Sequence, residues 1–141
     1  MRRRKMKKTM FFTLSLILSF WTGLLTAAAL SQISAKGLFD VTMSVPGESL
    51  KVGKNVVELT VRDKDGKEVT GARLTVLPQV FQHGESTLVR PTVSEKGKGI
   101  YTVENVYIDV PGHWVVKVTV SKEDRVDHVT FDFPEVKRAK D

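Results

Sequence analysis

From Phe39 onward, apolar side chains recur at every second position, and no long stretch carries a helical repeat. Phe39, Val41, Met43 and Val45 alternate with Asp40, Thr42 and Ser44. Val57, Leu59 and Val61 do the same, as do Ala72, Leu74 and Val76, then Trp114, Val116, Val118 and Val120, then Val129, Phe131 and Phe133. Successive side chains of an extended chain point to opposite faces, so each run predicts a strand with one buried face. Residues 87–94 and 99–110 read as two less regular strands. Turn residues separate the runs at Pro46-Gly47, at residues 63–67 (DKDGK), at Gly71, at residues 96–99 (KGKG) and at Pro111-Gly112. The pattern predicts an all-β, immunoglobulin-like antiparallel β-sandwich of about seven strands. Trp114 is the expected large core residue, with Tyr101 facing it from a neighbouring strand.

Ahead of the sandwich stands a different kind of segment. Residues 2–8 are cationic, residues 11–25 (FFTLSLILSFWTGLL) are apolar, and small residues follow at Ala27–Ala29 and around Ala35. That order is the layout of a secretory leader. Residues 9–30 carry no charge, which also suits an N-terminal hydrophobic helix retained as a membrane anchor. Both readings stand, and the basic flank holds the sandwich outside the cytoplasm in either. The expected organisation is residues 1–35 as signal peptide or uncleaved anchor, 36–136 as the sandwich, and 137–141 as a charged tail. The location is then the periplasm or the outer face of the inner membrane.

Net charge is +6, from 22 basic and 16 acidic residues, but Arg2, Arg3, Arg4, Lys5, Lys7 and Lys8 supply all of the excess. Without those six the chain has 16 of each sign, so its basicity does not argue for nucleic acid. There is no cysteine, which excludes disulfides, thiolate metal sites and a lipoprotein anchor.

Catalytic patterns fail one by one. Asp63-x-Asp65-Gly66 starts like a calcium loop, but Glu68 and Leu74 stand where the glycine and the bidentate glutamate belong, leaving a charged turn. Gly97-Lys98-Gly99 lacks the spacing and the helix of a phosphate loop. His83, Glu85 and Ser86 crowd into four residues without a nucleophile elbow. No enzyme is expected and no cofactor is required. Of the histidines, His128 falls on an outward strand face, His113 sits in the Pro-Gly-His-Trp turn, and His83 follows an apolar stretch, residues 77–81, read as a loop. An exposed apolar loop marks a contact surface, so Leu77, Val80 and Phe81 are the candidate partner-binding residues. His83 and His113 are the candidate metal ligands, for copper or zinc.

The order of short motifs resembles the YtkA-like domain family, related to FixH-like proteins. It comprises Gly53-Lys54-Asn55, Asp63…Gly66, Val69-x-Gly71-Ala72, Leu77-Pro78…His83-Gly84, Gly99-x-Tyr101 and Pro111-Gly112-x-Trp114. The resemblance covers about residues 38–134. It implies a membrane-anchored or secreted immunoglobulin-like domain in the setting of copper handling and oxidase-associated functions. Family members commonly carry a methionine-rich M-P-x-M-x-H loop. Here its methionine positions read Leu77 and Val80, and Met43 is the one methionine beyond the leader. The expected function is an exported, non-enzymatic binding or accessory domain that presents loops to an envelope or membrane protein. The alternatives are a periplasmic copper-binding or oxidase-assembly accessory protein using His83, and a structural envelope module.

Overall fold

The computed structural model describes residues 27–140, and the leader or anchor reading of the preceding segment lies outside them. The described chain forms eight strands: β1 (Ala27–Ile33), β2 (Phe39–Pro46), β3 (Gly53–Asp63), β4 (Arg73–Val80), β5 (Thr92–Gly97), β6 (Ile100–Ile108), β7 (Gly112–Lys122) and β8 (Arg125–Val136). No helix among the described residues is long and apolar enough to cross a membrane.

The strands pair antiparallel in two sheets, ordered β1-β2-β3-β6-β5 and β4-β7-β8. Apart from β1, this is the four-plus-three strand arrangement of a constant-type immunoglobulin sandwich. Inward positions follow the alternation: Val41, Met43, Leu59 and Val61 from one sheet and Val116, Val118, Val120 and Phe131 from the other are buried. β-branched residues suit such pleated, half-buried surfaces, which accounts for a core built mainly of valine.

The expected antiparallel sandwich forms, and three of its details need correction. Its strands number eight for the expected seven or so, residues 27–33 adding β1 along β2 from Ala27↔Pro46 to Ile33↔Asp40. Alternation gives little signal there, since β1 is mostly exposed and only Leu30 packs against the core beside the backbone ladder. The strand expected at residues 87–94 begins only at Thr92 and runs to Gly97. Pro91 has no N–H to donate, and the β3–β6 register shifts opposite Asn55 and Val57, where Asn105 takes a left-handed φ of 58°. Residues 77–80 are strand rather than loop, because β4 lies at a sheet edge where Pro78 is tolerated. Tyr101 does not face Trp114: its hydroxyl bonds the chain entering β4, whereas Trp114 pairs with Val80 at the other end of β4, roughly 23 Å along that strand.

Each residue group has its own pin. The Tyr101 hydroxyl donates to the Val69 carbonyl at 2.8 Å and accepts from the Ala72 amide at 3.1 Å, fixing the β3–β4 connection. At the other end, Trp114 Nε1 donates to the Val110 carbonyl at 2.9 Å. Asn55 Nδ2 reaches the carbonyls of Lys51, Gly53 and Val106, and its Oδ1 accepts from the Lys51 amide. Asp63 Oδ1 accepts from the amides of Asp65 and Lys67, closing the charged turn. Gly99 has a φ of +74°, and a Cβ there would lie 2.7 Å from the Val61 carbonyl oxygen, so no other residue fits.

Candidate functional site

Strand β4 ends at Val80, and the chain crosses between the sheets through residues 81–91 before entering β5. Two backbone bonds set this crossover: Phe81 N–H donates to the His113 carbonyl and Val80 N–H to the Glu85 carbonyl, both at 2.9 Å. The Phe81 ring stacks on the His113 imidazole with centroids 4.0 Å apart and planes inclined by 13°. His113 Nε2 is hydrogen-bonded to Asp132 Oδ1 on β8. The crossover is thereby held against β7 and β8 at the Trp114 end of the sandwich, where Val80 pairs with Trp114.

The proposed contact residues divide. Leu77 and Val80 are half-buried strand residues, and Val80 packs on the core. Phe81 is 58% exposed, and two further apolar residues stand out on the same crossover, Leu88 fully exposed and Val89 at 40%. Nothing in the sequence singles out Leu88 and Val89, because residues 87–94 read as a strand, in which one face is buried.

Of the metal candidates, His113 is the second residue of β7 rather than a turn residue, and His83 lies on the crossover two residues beyond Phe81, whose ring covers His113. His83 is exposed. His113 gives Nε2 to Asp132, and no group of three or more His, Asp or Glu among the described residues is placed to hold a metal ion. The third histidine, His128, is exposed on β8 as expected.

One functional-looking group belongs to the scaffold. Asp127 is 2% exposed, in phase with Val129, Phe131 and Phe133, so the alternation itself could have flagged a buried acid. Its carboxylate accepts from the amides of Lys36 at 2.8 Å, Leu38 at 3.4 Å and His128 at 2.9 Å. Burial raises its pKa, but the hydrogen bonds from Ser34, His128, Lys36 and Leu38 outweigh that and hold it below the ordinary carboxylate value. The carboxylate therefore ties the β1–β2 turn onto β8.

A groove of about 560 Å³ runs between residues 74–77 of β4 and residues 86–91 of the crossover. Consecutive strand residues line it although their side chains alternate between faces, so it follows the backbone edge of β4.

Comparison with known proteins bears on the scaffold. No curated protein sequence matches the chain. The crystal structure of a DUF4426 family protein from Pseudomonas aeruginosa PAO1 is similar in fold, with a TM-score of 0.55 at 19% identity, covering 79% of this chain and 99% of that one. The YtkA-like family profile matches residues 36–119. Asn55, Asp63, Gly99, Tyr101 and Trp114, which belong to the motifs that carry the sequence resemblance, pin turns and strand ends here. With the profile spanning more than half of the sequence, the chain belongs to the YtkA-like family.

Proposed function

We propose that this protein is a non-enzymatic, exported accessory domain of the bacterial cell envelope that binds a protein partner through the β4–β5 crossover. The observation that carries the reading is the exposure of Phe81, Leu88 and Val89 on one connection, beside an open groove. Three exposed apolar residues on a loop fixed to a rigid sandwich form a presented contact surface rather than a frayed one. The cationic cap and apolar run of the N-terminal segment support export.

Co-purification of the full chain from envelope fractions tests this. Phe81→Asp and Leu88→Asp each place a charge on an exposed position and leave the core intact. The partner should be lost from both variants while their thermal unfolding stays close to that of the parent. An unchanged set of co-purifying proteins would refute the reading.

A further inference from the structure

The outer backbone edge of β4 has an assignable chemistry. β4 ends its sheet, and beyond β7 its one further pairing among the described residues is the isolated bridge Gln79↔Ser86. Backbone polar groups of a strand point alternately to its two sides. Phe81 N–H points to His113 on β7 and Val80 N–H points away, to Glu85. The β4–β7 register is unbroken from Arg73 to Val80, so the odd-numbered residues of β4 bond to β7 and the even-numbered ones face outward. Leu74 and Val76 thus present their N–H and C=O groups to the groove. Pro78 falls at an outward position and offers no donor, so it limits the open edge on one side, with Arg73 on the other.

The groove is bounded by an apolar and hydroxyl-bearing surface in which Arg90 is the one charged residue. Arg90 makes no ion pair among the described residues, and Lys117 stands opposite Leu77 on β7. No acidic side chain lines it.

Resting on the partner-binding reading above, we infer that β4 accepts an extended, acidic segment of the partner protein as an added strand between β4 and the crossover. Leu74 and Val76 supply the backbone pairing, and Arg90 selects negative charge. The stretch between Arg73 and Pro78 accommodates a strand of about five residues, roughly 17 Å.

The test uses the full-length protein in detergent and three synthetic peptides: one alternating valine and glutamate, its valine–lysine counterpart, and the acidic peptide N-methylated at alternate residues. The acidic peptide should slow amide exchange at Leu74 and Val76. N-methylation should abolish that protection, and the lysine peptide or Arg90→Glu should weaken it roughly tenfold. Three results would overturn the proposal: no protection at Leu74 and Val76, binding indifferent to N-methylation, or protection that grows with protein concentration alone and so reports a second copy on the edge. A partner still captured through Phe81 and Leu88 while the peptides fail would remove the edge proposal and leave the contact surface standing.

Discussion

Phe81 lies flat on His113, 4.0 Å between ring centroids, and this stack joins the crossover to the rigid sheet beneath it. The same two residues are bonded through their backbones, so ring and main chain act together. A stacked aromatic pair contributes about 0.5–1.5 kcal/mol beyond the area it buries. Phe81→Ala and His113→Ala should each leave global stability within about 1 kcal/mol, because Phe81 is 58% exposed. Amide exchange across residues 81–91 should speed up in both, and a double-mutant cycle should show the two effects to be non-additive. Additive effects would show that the rings are neighbours without being coupled.

Asp127 predicts an acid-sensitive turn. Its folded pKa lies below the ordinary value of 3.8, so its contribution is complete above that value and is lost as pH falls through the lower folded pKa. Asp127→Asn should cost about 1–3 kcal/mol at neutral pH, because one amide oxygen cannot satisfy the donors around it. Denaturant unfolding of the two proteins between neutral pH and pH ~3 should show the gap narrowing on acidification. A gap that widens would contradict this assignment.

Tyr101 predicts the opposite dependence. Burial raises its pKa above 10.0 and the Glu95 carboxylate adds to this, against the lowering effect of the Ala72 amide. Its contribution is complete below the ordinary phenol value and is lost as pH rises through the higher folded one. Tyr101→Phe leaves the Val69 carbonyl and the Ala72 amide without their partner and should cost about 1–2 kcal/mol. Thermal melts at neutral and strongly alkaline pH check both: the variant should lose less stability than the parent at high pH.

The exposed position of His83 bears on copper. With His113 Nε2 engaged by Asp132 and no three-residue donor group among the described residues, low-micromolar Cu(II) should find no stoichiometric site dependent on His83. Calorimetric titration of the parent and His83→Ala should give the same weak isotherm. A tight one-to-one site removed by His83→Ala would restore the metal-binding alternative.

How much of this was legible in the sequence depends on whether a residue's role is periodic or tertiary. Val41, Leu59, Val118 and Phe131 announce themselves by alternation, and the sandwich follows from them. Asp127 obeys the same period and was open to the same reading. β1 carries no such mark, because Ala27–Ile33 exposes most of its side chains and overlaps the small-residue pattern of a leader. The Phe81–His113 stack joins residues far apart in sequence, and the open edge of β4 depends on which strand pairs with which. Neither leaves a local trace. The motifs that signalled the family turned out to be turn and strand pins, which explains why they predicted the fold better than the work done on its surface.

If the β4–β5 crossover faces the partner, site-specific photo-crosslinking in intact envelopes will show it, with the photoreactive residue at Leu88, fully exposed on the crossover, or at Thr130, exposed on β8. Position 88 should give a discrete heterologous adduct that disappears in the Phe81→Asp background, and position 130 should give none. No adduct at 88, or the same adduct at both positions, would contradict it.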